Sequence, residues 1–133
     1  MKTEELRIDS GRTLVTDITD DVERFAKGGD DGLLNVFAPH ATAGVALMET
    51  GSGSESDLSD ALDQLLPPDD RYSHRHGARG HGRDHLLPVF VAPSLTVPVH
   101  DGRLLLGTWQ RVVLIDTNVD NPRRTVRLSL LAG

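Results

Sequence analysis

The chain has 133 residues, no cysteine and a net charge of −6, with 38% apolar and 26% charged residues. That length and mixture indicate one folded domain spanning 1–133 and exclude a disordered chain, a disulfide scaffold and thiolate chemistry. No apolar run approaches the roughly 20 residues that cross a bilayer, and MKTEELRIDS is not a signal peptide, so no membrane partner and a cytoplasmic location are expected.

In chain order, TEELRID (3–9) alternates weakly and reads as an edge strand. TDITDDVERFAKGG (16–29) reads as a helix with Thr19 or Asp20 as its cap, acids in its first turn and Gly28-Gly29 at its end. GLLNVFAPH (32–40) is an apolar strand stopped by Pro39, and GVALME (44–49) is another. GSGSESD (51–57) is a flexible linker or the lead-in to a helix at about 55–66, where Leu58, Ala61, Leu62 and Leu65 recur at helical spacing and Pro67-Pro68 stop it.

RYSHRHGARGHGRDH (71–85) follows, with four of the six histidines, four arginines and three glycines. It reads as a loop able to fold around a ligand. HLLPVFVAPS (85–94) suits a strand or a helix, and Pro88 argues against a long regular helix. SLTVPV (94–99), GRLLLGTW (102–109), RVVLIDT (111–117) and RTVRLSLL (124–131) read as strands, with HDG (100–102) as a hairpin turn. The class is α+β, strand-rich, with two main helices.

Charge is unevenly spread. Residues 1–70 hold 16 acids and 5 bases, whereas 71–85 hold four arginines and one acid. With only five aromatic residues the chain lacks the broad basic, stacking surface of a nucleic-acid binder, and a local anion site is the better use of the positive segment.

Several residues have side chains suited to chemistry. His40 precedes Ala41, Thr42, Ala43 and Gly44, small residues beside which a phosphate or carboxylate can reach backbone N–H groups. The alternative is an ordinary strand connection with a solvent-facing histidine. Glu49 is a candidate ligand or base, or a surface acid. His74, His76, His81 and His85 are zinc-type donors without a diagnostic spacing. The His81/His85 interval places both rings on one helical face, but Gly82 weakens such a helix. Trp109 reads as a core plug, which turns Thr108 and Gln110 to the opposite face. Arg123-Arg124 suit bidentate phosphate binding or ordinary surface charge. His100 is given no functional role.

Taken together, PHATAGVALME (39–49), the RYSH…RDH segment, PSLTVPVHDGRLLLGTWQ (93–110) and PRRTVRLSL (122–130) resemble the YjbQ family, also called the secondary thiamine-phosphate synthase family. The resemblance covers nearly the whole chain. It implies a compact, β-sandwich-like mixed sheet assembled as a homotrimer. It also implies a histidine site that holds a divalent metal, zinc or magnesium, without an organic cofactor. Carried over by position, it marks His40, Glu49 and His85 as catalytic. Thr42, Ala43, Gly44, Thr108 and Gln110 become substrate-binding, and His40, His74 and His85 become metal ligands, with His76 and His81 as local extras. The sequence departs from the family at Ala41, where threonine is frequent. It departs again at Arg83, where a further histidine is usual, and at Pro88.

The implied reaction joins hydroxymethylpyrimidine diphosphate to thiazole phosphate and releases pyrophosphate. The alternatives are a metal-dependent hydrolase of a small phosphorylated compound and a non-catalytic metal- or ligand-binding trimer.

Overall fold

A computed structural model describes residues 1–75 and 77–133. The elements are β1 (Lys2–Asp9), β2 (Val15–Asp17), α1 (Thr19–Ala26), β3 (Gly32–Phe37), β4 (Ala43–Met48) and α2 (Ser54–Leu65). Then come the helical turns α3 (His81–Asp84) and α4 (Leu87–Phe90), followed by β5 (Ser94–His100), β6 (Arg103–Leu104), β7 (Arg111–Asp116) and β8 (Arg123–Ala132). A five-stranded sheet runs β1-β8-β3-β5-β6, a three-stranded sheet runs β2-β7-β4, and the pairings in both are antiparallel. No helix among the described residues is long and apolar enough to cross a membrane.

Period-two patterning builds the larger sheet. Val126, Leu128 and Leu130 of β8 face inward with Leu34 and Val36 of β3 and with Val97 and Val99 of β5. Val112 and Leu114 of β7 meet them from the smaller sheet, and Val22, Phe25 and Ala26 of α1 join the same core. The opposite side of β7 presents Val113 and Ile115 to Leu62 of α2 and Leu87 of α4. Residues Val112 to Ile115 are therefore apolar without interruption, as a strand covered on both faces requires. The larger sheet, the smaller sheet and the α2/α4 layer form a sandwich-like α+β fold.

Several expectations are revised. The helix expected over 16–29 begins only at Thr19, because Val15–Asp17 pairs with Val113–Ile115 as β2. Asp17, not Thr19 or Asp20, opens that helix: its carboxylate accepts the Thr19 N–H at 2.9 Å. The strand expected over 102–109 is reduced to Arg103–Leu104, because the chain turns at Gly107, whose N–H donates to Gln110 Oε1 at 2.8 Å. Trp109 sits on this turn 71% exposed and is not a core plug. The undecided stretch 85–94 contains one helical turn, with Pro88 at its start, where a missing N–H costs nothing.

The β5–β6 turn is clipped to the start of β3. Asp31 accepts the Asp101 N–H at 2.9 Å through one carboxylate oxygen and meets His100 Nδ1 at 2.7 Å through the other. The hydrogen bond to Asp31 raises the His100 pKa, and the charges of Asp101 and Asp31 add to it. A raised folded value means that the stabilisation is full below the ordinary value of about 6.5 and is lost as pH rises through the folded value. The His100 imidazole is expected to titrate above that ordinary value by NMR, and Asp31→Asn to bring it back. A midpoint unmoved by Asp31→Asn would disprove the clip.

Candidate metal centre

The histidine-rich segment is drawn into a compact site by its glycines and by the tail of β7. Tyr72 O–H donates to the Pro67 carbonyl at 2.9 Å, which anchors the loop to the end of α2. A Cβ at Gly82 would collide with the His74 carbonyl and the Tyr72 side chain, so only glycine lets His74 lie against α3. Gly77, at φ +83, has Asp120 and His81 where a side chain would stand, and it too must be glycine.

His81 begins α3 and His85 follows its last residue with helical φ and ψ, so the i, i+4 spacing brings both rings to one side. Their Nε2 atoms are 3.0 Å apart. The His74 ring centroid lies 4.2 Å from that of His85 and 5.3 Å from that of His81. One ligand nitrogen from each of the three histidines falls within 4.8 Å of the others.

His81 is the most constrained of the three, buried and held at Nδ1 by Asp120 Oδ2 at 2.9 Å. The Nδ1 proton donates to Asp120, a tautomer assigned from this network, and the Nε2 lone pair then points towards His85. The Asp120 carboxylate also accepts the Ala78 N–H at 3.0 Å. Asn118 positions this tail: its Oδ1 accepts the N–H groups of Asp120 and Asn121 at 2.9 Å each. Behind His81, the buried Asp84 accepts Thr117 O–H at 2.6 Å and Asn118 Nδ2 at 3.1 Å. Burial pushes the Asp84 pKa up, opposed chiefly by the Thr117 hydrogen bond and the Arg83 charge. A cavity of about 220 Å³ opens beside this wall, lined in part by Arg12, Ser59, Arg83 and Thr117.

The donor chemistry fits zinc. Two imidazole nitrogens on a tetrahedral zinc stand about 3.3 Å apart, from Zn–N bonds of about 2.0–2.1 Å. The His81–His85 spacing of 3.0 Å is close to that. A carboxylate holding the far nitrogen of a ligand imidazole is the usual supporting arrangement. Asp31, His100 and Asp101 form the other group of metal-type donors among the described residues, but all three are exposed and their contacts are those of the β5–β6 clip.

The other sequence candidates lie elsewhere. His40 is not in the three-histidine group, and His81, read from the sequence as a local extra, is in it. His40 instead caps the β8 ladder. β3 pairs with β8 only as far as Phe37↔Arg127. Past that point the Thr125 N–H donates to His40 Nε2 at 3.0 Å. Burial lowers the His40 pKa, and the Arg124 charge lowers it further.

Thr42 is buried and accepts an Arg124 N–H at 2.8 Å. Ala43 is buried in the β4–β7 ladder. The close approach expected beside Gly44 is occupied by the Val91 carbonyl of the chain itself. Glu49 is exposed beyond the end of β4, and Thr108 and Gln110 are exposed on the β6–β7 turn. His76 lies outside the described residues.

His81 did carry a sequence signal, its spacing from His85. Asp84, Asn118 and Asp120 carried none beyond the polar character of a turn.

A family model described as UPF0047 protein YjbQ-like matches residues 4–133. The chain is 62% identical to UPF0047 protein Rv2556c of Mycobacterium tuberculosis over 133 residues, all of both chains. It is 33% identical to a UPF0047 protein of Archaeoglobus fulgidus over 115 residues, 86% of this chain and 90% of that one. The crystal structure of hypothetical protein APE1520 from Aeropyrum pernix superposes with a TM-score of 0.89 at 34% identity, covering 100% of both chains.

Proposed function

The chain belongs to the YjbQ-like UPF0047 family, and from that premise we propose that it is a metal-dependent enzyme acting on small phosphorylated compounds. The observation that carries this reading is the convergence of His74, His81 and His85, with one ligand nitrogen from each within 4.8 Å of the others. Three histidine ligands leave a coordination position for substrate or water. His81 Nε2 and His85 Nε2 are the nitrogens the fold turns to one point, and Asp120 fixes the His81 ring for that task. A divalent ion held there supplies positive charge where negative charge develops on a leaving phosphate. Arg12, on the wall of the adjoining cavity, adds a guanidinium for a phosphate oxygen. The reading assigns His40 and Glu49 no ligand role.

The reaction we assign is the joining of hydroxymethylpyrimidine diphosphate to thiazole phosphate with release of pyrophosphate, as the resemblance implies. The assembly we assign is a homotrimer. Leu86, Val89 and Phe90, which directly follow the site, are 39%, 73% and 57% exposed in the single chain, and a second copy would cover them.

The test supplies purified, zinc-loaded protein with both substrates together and with each alone. Thiamine phosphate formed only from the pair, and abolished by chelator, is the expected result. Phosphate released from one substrate alone would replace the synthase with a hydrolase. No turnover at all would leave a binding protein and overturn the enzyme reading.

A further inference from the structure

The adjacent arginines 123 and 124 have opposite fates. Antiparallel register sets Ile8 against Arg124 and Asp9 against Arg123, so alternation sends the two guanidiniums to opposite faces of β8. Arg124 turns inward and is locked to Asp116, with Nε at 2.7 Å and Nη2 at 2.9 Å from its carboxylate oxygens. Arg123 turns outward, to the face that carries Arg7, Asp9 and Thr125. These residues line a cavity of about 370 Å³ that the three-histidine group does not touch.

Two features of this cavity favour an anion although the chain's net charge is −6. Arg24, Arg71, Arg83, Arg111, Arg124 and Arg127 each have a carboxylate partner. Arg7 and Arg123 have none among the described residues, nor do Arg12, Arg75, Arg79 and Arg103; what sets the pair apart is that one face of the β1–β8 ladder holds both beside one cavity. Two acids share this face: Glu5 is paired with Arg127 at 3.3 Å, and Asp9 accepts the Gly11 N–H at 2.9 Å and makes no ion pair with the Arg123 opposite it. Arg7 lies opposite Thr125, which puts Arg123 on the diagonal, a separation of about 7–8 Å between such positions. Like charges so placed repel when nothing lies between them, and an anion that accepts from both relieves the repulsion. Thr125 adds a hydroxyl to the same face.

We propose that this cavity is a second binding site, for the phosphate or diphosphate group of a small molecule, with Arg7 and Arg123 as its paired clamps and Thr125 as a supporting donor. The site is independent of the metal centre, and its ligand chemistry needs no metal.

The test is calorimetric titration of inorganic pyrophosphate into chelator-treated protein, repeated in a His81→Ala background so that failure of the metal reading leaves it intact. Pyrophosphate is expected to bind in both. Arg7→Ala and Arg123→Ala are each expected to weaken it about tenfold or more, as loss of a charge-assisted hydrogen bond does. Arg123→Lys should recover only part, because a point charge replaces a fork. Arg103→Ala, which removes an exposed arginine outside this cavity, should change nothing. Both clamps are exposed, and circular dichroism checks that each variant is folded.

Absence of pyrophosphate binding at millimolar concentration would overturn the proposal, as would equal weakening by Arg103→Ala. So would a short single-stranded oligonucleotide that binds more tightly and responds to the same variants, since that would make the face a nucleic-acid surface.

Discussion

Replacing His81 by alanine is expected to empty the metal centre, whereas His40→Ala is expected to leave its metal content unchanged. His81 is buried and contributes Nε2 from a ring whose other nitrogen is fixed by Asp120. On the proposed reading its loss removes one of three candidate ligands, and the remaining pair, His74 and His85, is too few to complete a site. Metal-dependent turnover should fall with it, by about two orders of magnitude or more. Asp120→Asn should show an intermediate effect, about 10- to 100-fold in metal affinity, because the ligand stays while its orientation and basicity suffer. Elemental analysis and zinc titration against a competing chelator measure both, with circular dichroism to confirm folding. Full zinc in His81→Ala together with none in His40→Ala would restore the set of His40, His74 and His85 expected from the family resemblance.

The second large effect concerns stability. Asp116→Ala is expected to cost about 3–5 kcal/mol, the usual result of stranding one member of a buried ion pair. The side chains of Arg124 and Asp116 are 2% and 1% exposed. Asp116 also accepts Ser10 O–H at 3.0 Å and the Asn118 N–H at 2.9 Å, so four donors lose their acceptor at once. For a chain of this length the loss corresponds to a fall of about 10–20 °C in Tm. The double variant Asp116→Leu/Arg124→Met should recover much of it, since no charge is then left buried without a partner. Denaturant unfolding at one fixed protein concentration separates these cases, and it keeps self-association from shifting the comparison. A single variant within 1 kcal/mol of the parent would show that the pair does not hold the two sheets.

The architecture was legible wherever a single residue type and a short-range period decide the outcome. Val126, Leu128 and Leu130 alternate with polar residues along β8, and the sheet follows that alternation. Gly28 stops α1 and Pro67-Pro68 stop α2, because backbone freedom and a missing N–H act locally. β2 was not legible. Three residues carry no period, and only the presence of β7 beside them makes them a strand. Trp109 was misjudged because its bulk usually earns burial, yet here it rides on a turn set by Gly107 and Gln110.

The candidate site divides along the same line. Composition and spacing alone show that histidines, arginines and glycines are gathered in 71–85, and that His81 and His85 share a face if the chain is helical there. The tertiary structure alone decided that it is helical. Gly82 disfavours a helix in isolation, but the His74 carbonyl and Tyr72 pack where its side chain would be, and that packing outweighs propensity. Asp120, 39 residues beyond His81, supplies the carboxylate that orients the ring, and no local pattern announces it. Arg123 and Arg124 are chemically identical neighbours. The pleat of β8 separates them, and Asp116 across the core makes one structural and leaves the other for a ligand. Local spacing acts through bonds the chain cannot avoid, whereas partner choice across the core depends on which distant groups arrive and on the free energy of leaving them unpaired.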